Sequence, residues 1–348
     1  SALPSLRNGS GNSNEKSPRD MNIFLPFKIK DIGGTATFAR KFTNSIQKNG
    51  LKVSHDFSFG FDVLFIIADC PIWYPLIAKL LRKKIVQRLD GVYHPATPAG
   101  RWYPLYNLKM QIIHNFLADT VVYQSEFSRL SCETFLGKTG APQTVIIYNG
   151  FDTEKSPPRA ISRSKNAPVK LLTFAKFRRR DQIEPIIESV KLLDPEKFTL
   201  DIYGSYTDDL TGLFKNLPRN ILFQGKKTNE DLLKTLCQYD IFLFSDQSAC
   251  PNSVLEALAA GLPVAAFDRG SISELIKPGY NGEITGVKEG TDPFFDKFPF
   301  DMRSYQSFSE KIKKINTDIA SYSKNSKDSS MLNFNLQELV KKYTNIMR

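Results

Sequence analysis

Short β-branched runs alternate with segments of helical period along most of the chain, and this alternation limits the fold more than any other feature. In the first half, the runs predict strands at 22–25, 52–54, 62–67, 84–88, 120–123 and 144–147. Between them, helices are predicted at 36–47, 71–81, 105–117 and 126–135. Strands separated by helices pair in parallel through right-handed crossovers. The first half therefore predicts one doubly wound α/β domain.

The same alternation restarts after a polar stretch that carries Pro157 and Pro158. Strands are predicted at 170–174, 199–203, 221–223, 240–244 and 263–266, with helices at 182–193, 229–238, 252–260 and 271–276. The polar stretch has no hydrophobic periodicity, which is typical of a linker. We therefore expect two Rossmann-like domains, 21–152 and 169–301, joined by a linker at 153–168.

The two ends of the chain have different characters. We expect residues 1–20 to be a disordered leader, because they are rich in Ser, Asn and Gly and lack the apolar core of a signal peptide. From 302 to 348 the pattern is helical, but a polar segment at 322–330 predicts a flexible break. The segment 336–343 predicts a final amphipathic helix, which we expect to return to the first domain.

Composition excludes a membrane-spanning protein and a disulfide scaffold. The strongly apolar runs, such as the six residues from Val63 to Ala68, fall far short of the roughly 20 that a bilayer span needs. The four cysteines contain no Cys-x-x-Cys pair, so neither structural zinc nor a disulfide framework is indicated. A cytoplasmic protein fits this composition.

The net charge of +11 suggests an anionic partner without naming it. Basic residues are dispersed, and no zinc finger or RNA-binding signature accompanies them. We therefore expect no nucleic-acid partner, although charge alone leaves nucleic-acid binding open as an alternative. The cluster of Arg82, Lys83 and Lys84 would permit peripheral contact with the anionic inner face of a membrane.

Several familiar motifs are absent from the sequence. The Gly137-Lys138-Thr139 triplet lacks the leading glycine of a P-loop, since Cys132 occupies that position. There is no Gly-x-Gly-x-x-Gly, which argues against a dinucleotide-binding oxidoreductase. No Asp-x-Asp is present either, so the usual carboxylate cradle for a metal diphosphate is missing. We expect no cofactor and no metal.

One segment, 248–264, combines a strand, a loop and the start of a helix near Asn252. Free N–H groups at a helix start suit an anion such as a diphosphate. Glu256 falls in the first turns of that helix, where it can accept hydrogen bonds from the hydroxyls of a ribose. The loop and helix start thus predict contacts to a donor nucleotide from Ser248, Cys250, Pro251, Asn252, Ser253 and Glu256.

This segment resembles the signature of the retaining family 4 glycosyltransferases, which have the GT-B fold. Glu256, Gly261, Pro263 and Val264 fit the family pattern. Ser248 stands where the family has a first glutamate that contacts the donor sugar. The resemblance implies two Rossmann-like domains that face a cleft, with the nucleotide sugar bound mainly by the second.

Other segments resemble the same family in the same order. The segment 148–152 resembles the family's domain junction, and 268–276 with 281–282 resembles a further loop and helix. The segment 223–233 resembles a unit whose loop reads the nucleotide base, which implies donor contacts from Gly225 and Lys226. Gly33 and Gly34 lie where the family has a glycine loop near the diphosphate. We place Gly204 among the donor-binding residues too.

A diphosphate that leaves without a metal needs fixed cations to absorb its charge. Relatives resembling this chain supply an Arg and then a Lys after the first strand of the second domain. Alignment puts Lys176 at the Arg position and Asp181 at the Lys position. We therefore predict that Lys176, as a catalytic residue, and one or more of Arg178, Arg179 and Arg180 clamp the diphosphate.

In the first domain, Asp90 follows a predicted strand and faces the expected cleft. Its carboxylate can orient or deprotonate an acceptor hydroxyl. Family relatives often carry a histidine in this region, so His94 is the competing candidate. A platform for an acceptor sugar is one interpretation of Trp73, Trp102 and Tyr103, and ordinary packing is the other.

The resemblance implies transfer of a sugar from a UDP- or GDP-sugar to a hydroxyl of a glycan or lipid-linked acceptor, with retention. Bacterial surface-glycan synthesis is the expected setting. Two further alternatives stay open: a GT-B epimerase acting on a nucleotide sugar, and a non-catalytic relative that binds the nucleotide or sugar. The second is motivated by Ser248 and by the missing lysine.

Overall fold

The computed structural model describes residues 21–27, 34–151 and 167–348 and contains two parallel six-stranded sheets. The first sheet has the order β2-β1-β3-β4-β5-β6. Its strands are β1 Asn22–Phe24, β2 Lys52–Ser54, β3 Val63–Ile67, β4 Lys84–Leu89, β5 Thr120–Tyr123 and β6 Gln143–Ile146. Its helices are α1 Gly34–Lys48, α2 Trp73–Leu80, α3 Tyr103–Ile112, which a π-helical turn at Ile113–Leu117 continues, and α4 Glu126–Leu136. We call residues 21–151 the first domain.

Both faces of the first sheet are buried, as a parallel sheet requires. All five residues of β3 are buried, and their side chains alternate between two hydrophobic clusters. One cluster packs under α1, through Phe38 and Phe42. The other packs under α2, α3 and α4. These last three helices therefore share one face of the sheet.

The second sheet has the order β12-β11-β10-β7-β8-β9. Its strands are β7 Val169–Phe177, β8 Phe198–Tyr206, β9 Ile221–Gly225, β10 Ile241–Phe244, β11 Val264–Phe267 and β12 Gly282–Thr285. Its helices are α5 Glu184–Val190, α6 Thr211–Lys215, α7 Asn229–Thr235, α8 Asn252–Ala259 and α9 Ile272–Leu275. The strand order reverses between β7 and β10, and such a switch point opens a crevice at the carboxyl ends of the strands. We call residues 167–301 the second domain.

The prediction of two doubly wound α/β domains is confirmed, and the predicted strands differ from the observed ones mainly at their ends. β12 and α6 were not predicted. β12 contains Gly282 and Glu283, which disfavour a strand locally, and it forms because it pairs with β11 over four residues. The predicted leader and residues 153–166 of the predicted linker lie outside the described residues.

The predicted flexible break at 322–330 is wrong, because this segment is part of a helix. Three helices follow the second sheet: α10 Met302–Thr317, α11 Ile319–Asn333 and α12 Leu336–Met347. α11 packs on α8 with a face of small buried residues that includes Ser323, Ser326 and Ser330. These polar side chains hide the helical pattern although they are buried, and the hydroxyls of Ser323 and Ser326 donate to the backbone carbonyls of Gly261 and Asn281.

A buried carboxylate ties the first two of these helices to the second sheet. Glu283 of β12 accepts hydrogen bonds from Tyr322 Oη at 2.6 Å and from the backbone N–H of Gly279 at 3.0 Å, and Lys314 Nζ lies 2.8 Å away. Burial alone would raise the pKa of Glu283, but the contacts with Lys314 and Tyr322 hold it below its ordinary value. This carboxylate is what holds α10 and α11 against β12.

The last helix packs on the first domain. Leu339, Val340 and Tyr343 of α12 are buried in the cluster that contains α1, and the Tyr343 and Phe42 rings lie 5.3 Å apart. The chain thus crosses back between the domains before it ends. No helix in the described ranges combines the length and the hydropathy that crossing a bilayer requires.

We predict that Tyr322→Phe lowers the free energy of unfolding by about 2 kcal/mol, because a hydrogen bond to a buried charged group is worth roughly 1.5–3 kcal/mol. Urea unfolding followed by circular dichroism measures the change. Tyr106→Phe removes a hydroxyl from an exposed ring and serves as the control. Equal stability of both variants and the wild type would show that Glu283 does not anchor α11.

Candidate functional site

The carboxyl ends of strands from both sheets meet around a cavity of about 220 Å³, which we call the interdomain cavity. The first domain contributes the segment after β4 and the start of α4. The second domain contributes the loops after β7, β10 and β11. Residues that line it include Asp90, Gly91, His94, Thr97, Phe127, Ser128, Arg179, Asp181, Gln247, Ser248, Arg269 and Lys297.

Two arginines meet on one buried carboxylate in this cavity. Arg179 Nε and Nη2 lie 2.9 and 3.1 Å from the oxygens of Asp181. Arg269 Nη1 donates to the same carboxylate at 2.9 Å and to the backbone oxygen of Ser245 at 3.1 Å. Asp181 therefore fixes two guanidinium groups on the wall of the cavity.

A second carboxylate completes the charge cluster. Asp246 accepts hydrogen bonds from Arg179 Nη2 at 2.9 Å and from Gln182 Nε2 at 2.9 Å. Burial raises the pKa of Asp246 although Arg179 acts against it. Burial would lower the pKa of Arg179, but its bonds to Asp181 and Asp246 raise it above its ordinary value. Within the described ranges, no three His, Cys, Asp or Glu side chains converge as metal ligands would.

A smaller cavity of about 150 Å³ lies at the switch point between β7 and β10, and we call it the switch-point cavity. It is lined by Thr173 of β7, Ser245 and Pro251, and by Ser253 in the first turn of α8. α8 begins after Pro251, and no side chain caps its first N–H groups. The start of α8 is thus positioned to bind an anion.

Ser248 connects the two cavities, because it lines both. Its backbone oxygen accepts from the N–H of Ser271 at 3.0 Å. Gly270 packs against it with a φ of +63°, and a Cβ there would lie only 2.3 Å from the Ser248 oxygen. This glycine allows the loop after β11 to close over Ser248 and brings Arg269 to the cavity.

Glu256 lies behind this region, at the contact between the domains. It is 3% exposed, and Lys41 Nζ of α1 is 3.9 Å from its Oε1. Burial raises the pKa of Glu256, while Lys41 and the side chain of Asn229 act against the shift. Asn229 is the first residue of α7, so Glu256 faces the loop between β9 and α7.

The predicted base-reading residues lie at the ends of neighbouring strands. Gly225 ends β9 with a φ of +75°, Lys226 follows it, and the Nζ of the next residue, Lys227, is 4.6 Å from the ring centre of Tyr203. Gly204 in β8 has a φ of +132° and packs so tightly on β7 that only glycine fits. None of the three predicted residues lines either cavity, so their role stays a prediction.

The predicted cation clamp is only partly assembled. Arg179 lines the interdomain cavity, whereas Lys176, Arg178 and Arg180 do not. Lys176 and Arg178 are exposed, and Arg180 Nη2 donates to Glu184 at 2.6 Å on the outer surface. The second cation in the cavity is Arg269, which the sequence analysis did not single out. The role of Lys176 remains a prediction.

Both candidate acceptor-side residues line the interdomain cavity. Asp90 pairs with Arg88 and accepts from Gln124 Nε2 at 3.0 Å. His94 Nδ1 lies 3.0 Å from the backbone oxygen of Phe294. Since a carbonyl oxygen only accepts, Nδ1 carries the proton and Nε2 is left as an acceptor. Burial lowers the pKa of His94, and Arg179 and Arg269 lower it further, against the bond to Phe294.

The other predicted donor residues are placed as follows. Cys250 is buried, and burial raises the pKa of its thiol to about 12, so it is no nucleophile. Asn252 begins α8 and lines a crevice beside Lys41. Gly34 is the first residue of α1, with open space where a Cβ would be. Gly33 lies outside the described residues.

Arg88 is a buried link between the domains that the sequence analysis missed. Its guanidinium is 1% exposed and donates to Tyr343 Oη of α12 at 3.0 Å and to Asn149 Oδ1 at 2.6 Å. The Nδ2 of Asn149 in turn donates to the backbone oxygen of Cys250 at 2.9 Å. The strand that carries Asp90 is thereby joined to the loop before α8.

Two further contacts hold the cavity closed. Glu274 of α9 accepts from the backbone N–H groups of Glu126 and Phe127 at 2.7 and 2.9 Å, and from Tyr148 Oη at 2.9 Å. Phe294 packs against Phe127, with 5.7 Å between the ring centres. Glu274 therefore caps the start of α4 across the domain boundary.

The architecture is that of a GT-B glycosyltransferase. Sucrose-phosphate synthase from Thermosynechococcus elongatus superposes with a TM-score of 0.73 at 15% identity, over 94% of this chain and 98% of that one. HepE from Anabaena, solved with UDP-glucose, superposes with a TM-score of 0.68 at 15% identity, over 94% of this chain and 99% of that one. At such identities these likenesses establish the fold, and the predicted GT-B architecture is confirmed.

The sequence of the second domain matches a known family model. Residues 168–298 match the model of the glycosyl transferases group 1. The predicted resemblance to retaining family 4-like enzymes is consistent with this match.

Three curated proteins match part of the chain. A protein of the cps region of Klebsiella pneumoniae is 24% identical over 41% of this chain and 42% of its own length. Sulfoquinovosyl transferase SQD2 of Arabidopsis thaliana is 27% identical over 42% of this chain and 30% of its own length. Amylovoran biosynthesis glycosyltransferase AmsK of Erwinia amylovora is 26% identical over 33% of this chain and 31% of its own length. The alignments thus span less than half of each relative.

We predict that Arg179→Gln weakens binding of UDP or GDP about 10- to 100-fold, because a charge-assisted bond to a phosphate is lost, which corresponds to roughly 1.4–2.8 kcal/mol. Isothermal titration calorimetry with each nucleotide measures the loss, and the bare nucleosides should be little affected. Arg180→Gln, on the outer surface, is the matched control. Equal effects of the two substitutions would remove Arg179 from the diphosphate site.

We predict that His94 titrates below the ordinary imidazole pKa of about 6.5, because it is half-buried beside two arginines. The chain has three histidines, so long-range ¹H–¹⁵N spectra recorded against pH can resolve each ring. Arg179→Gln should raise the pKa of His94 and leave that of His114, which burial lowers, unchanged. A midpoint at or above the ordinary value, insensitive to Arg179, would contradict the described geometry.

Proposed function

We propose that this chain transfers a glycosyl group from a UDP- or GDP-sugar to a hydroxyl of a glycan or lipid-linked acceptor, with retention of configuration and without a metal. The observation that carries the proposal is the interdomain cavity, in which two fixed arginines of the second domain face Asp90 and His94 of the first. Such a cavity holds the groups for a departing diphosphate and for an incoming hydroxyl within one space.

The second domain would bind each part of the donor in turn: the base, the ribose, the diphosphate and the sugar. The loop that contains Gly225 and Lys226 would meet the base, and Glu256 would accept from the ribose hydroxyls. The diphosphate would lie where the two cavities join, between the uncapped start of α8 and the arginines of the interdomain cavity. Ser248 would then mark the position at which the sugar enters the interdomain cavity.

Charge stabilisation would come from Arg179 and Arg269. As the bond between the anomeric carbon and the diphosphate oxygen breaks, negative charge grows on the diphosphate, and donors that are already fixed stabilise it without reorganisation. Asp181 and Asp246 hold Arg179, and Asp181 holds Arg269. These arginines support a mechanism that places no metal ion on the diphosphate.

The acceptor side would use the groups after β4. The acceptor hydroxyl forms the new bond to the anomeric carbon from the face that the diphosphate leaves, so the configuration is retained. Asp90, held by Arg88, is suited to orient this hydroxyl. His94 presents a neutral Nε2 that can take its proton, and Asp90 is the competing proton acceptor. Closure of the domains excludes water and limits hydrolysis of the donor.

The expected setting is the synthesis of a bacterial surface glycan. The Erwinia relative is named for amylovoran biosynthesis, and the Klebsiella relative comes from a cps region. HepE, which shares the fold, was solved with UDP-glucose. These relatives support a UDP-sugar donor and a polysaccharide or lipid-linked acceptor.

A non-catalytic relative is the second candidate. Ser248 stands in place of the glutamate that resembling enzymes use on the donor sugar, and Asp181 stands in place of their lysine. Both replacements lie in the cavity itself. Such a protein would bind the nucleotide sugar and transfer nothing.

A thermal-shift panel of UDP-, GDP-, ADP- and TDP-sugars should single out one nucleotide, because a specific ligand stabilises the folded state by mass action. That donor is then incubated with and without a pool of glycan and lipid-linked acceptors. We expect the free nucleotide and a new glycoside only when an acceptor is present, with the anomeric configuration of the donor in the NMR spectrum. An altered nucleotide sugar without acceptor would indicate an epimerase, and binding without turnover would indicate the non-catalytic relative.

We predict that Asp90→Asn lowers kcat of this transfer about 100-fold or more, the scale expected for a lost acid–base or orienting group, while nucleotide affinity stays near that of the wild type. Steady-state kinetics and calorimetry measure the two quantities. Asp56→Asn, at an exposed carboxylate of the same domain, is the control. An unchanged kcat in Asp90→Asn would leave His94 as the acceptor-side group.

A further inference from the structure

The outer faces of α2 and α3 carry apolar side chains where a surface helix normally carries polar ones. On α2 these are Trp73, Leu76 and Leu80, which repeat at helical spacing, and Leu80 is 82% exposed. Around α3 they are Trp102, Leu105, Tyr106, Leu108 and Phe116, and Leu105 is 67% exposed. We call these eight residues the apolar patch. The inward sides of the helices pack normally, through Ala78 and Met110.

The two parts of the apolar patch lie on the same side of the first sheet. α2 contacts the π-helical turn Ile113–Leu117, which continues α3, and both belong to the cluster under one face of the first sheet. Neither Trp73 nor Trp102 lines the interdomain cavity, so their role as a platform for an acceptor sugar stays a prediction. Both indoles are instead about half exposed on the outer surface. Exposed apolar surface of this extent marks an interaction site.

The stretch of sequence that carries the apolar patch has an excess of basic residues. Between Pro71 and Ala118, apart from the buried pair of Arg88 and Asp90, the sequence contains six basic residues and no acidic one: Lys79, Arg82, Lys83, Lys84, Arg101 and Lys109. Lys79 and Lys83 contact Asp119 and Asp62, which lie outside this stretch. Basic side chains around tryptophan and leucine form the surface that binds the headgroup region of an anionic bilayer.

The apolar patch reaches the mouth of the interdomain cavity. The ring of Tyr106 lies 5.3 Å from that of Tyr93, and Tyr93 stands between Val92 and His94, which line the cavity. A surface bound here would therefore present its outermost groups to Asp90 and His94. An acceptor anchored in that surface would not have to leave it to react.

We propose that the apolar patch and its basic rim dock the first domain on an anionic membrane, with the aromatic side chains at the level of the headgroups. Its purpose, the delivery of a lipid-linked acceptor to the cavity, rests on the proposed function. Docking itself needs no nucleotide, so it is tested separately from sugar transfer.

The two tryptophans of the chain, Trp73 and Trp102, both belong to the apolar patch, so intrinsic fluorescence reports on it directly. The full chain is mixed with vesicles of phosphatidylcholine alone or with 30% phosphatidylglycerol, without nucleotide. Here we expect a blue shift of the emission and quenching by brominated lipid with the anionic vesicles only. Raising the salt concentration should reduce binding, because it screens the basic rim.

Two double variants separate the contributions of apolar area and charge. Leu80→Ser with Leu105→Ser, and Arg82→Glu with Lys109→Glu, should each weaken sedimentation with anionic vesicles about 10-fold or more. The matched controls lie on α11, whose Met331, Leu332, Lys324 and Lys327 are also exposed. Met331→Ser with Leu332→Ser, and Lys324→Glu with Lys327→Glu, should bind like the wild type.

Three results would overturn the proposal. They are equal binding to neutral and anionic vesicles, equal losses in the α11 controls, and a wild type that self-associates in sedimentation velocity through the apolar patch without binding vesicles. A thermal shift with the donor nucleotide checks that each variant is folded and keeps its donor site. If the wild type fails to bind vesicles but is still stabilised by the donor nucleotide, only the docking proposal fails. If the donor nucleotide does not stabilise the wild type, only the proposed function fails.

Discussion

One buried guanidinium holds the two halves of the molecule in register. Arg88 is the penultimate residue of β4 in the first sheet, and its partners come from α12, from Asn149 at the domain junction and from Asp90 in the cavity. Leaving the buried Arg88 charge without one of these partners would destabilise the fold, so α12, the domain junction and the segment after β4 must pack against Arg88 at the same time. The position of Asp90 therefore depends on the return of the last helix to the first domain, and the position of the loop before α8 depends on the same contact through Asn149.

The charged side chains of the interdomain cavity already pair with one another in the absence of a ligand. Asp181 and Asp246 neutralise Arg179 and Arg269, so the guanidinium groups are held at fixed positions without an anion. An entering diphosphate would compete with these carboxylates for the arginines, which lowers the affinity that two unpaired arginines would give. It would also meet donors that need not move. The two cations thus come from different loops, Arg179 from the loop after β7 and Arg269 from the loop after β11.

Most of the fold and about half of the cavity can be predicted from the sequence. Residues that follow strands, such as Asp90 and Ser248, were placed near the cleft because parallel strands end at a common edge. Arg269 was missed since nothing in its own loop marks it, and only Gly270 allows that loop to reach Asp181. The available signal was Asp181, an acid at a position where the resemblance implies a lysine, because a buried acid needs a basic partner from elsewhere in the chain. α11 was missed for a related reason, because its serines are buried against backbone carbonyls and read as a polar break.

The bonds of Glu274 bear on how the cleft opens. All three of its donors belong to groups at the rim: two N–H groups at the start of α4 and the hydroxyl of Tyr148. When the domains part, water can take the place of each partner, so little hydrogen-bonding energy is lost. The rim contacts can therefore break and re-form at little cost, whereas the Arg88 contacts deeper in the junction are buried. In the proposed reaction, product would leave through a gap opened at the rim.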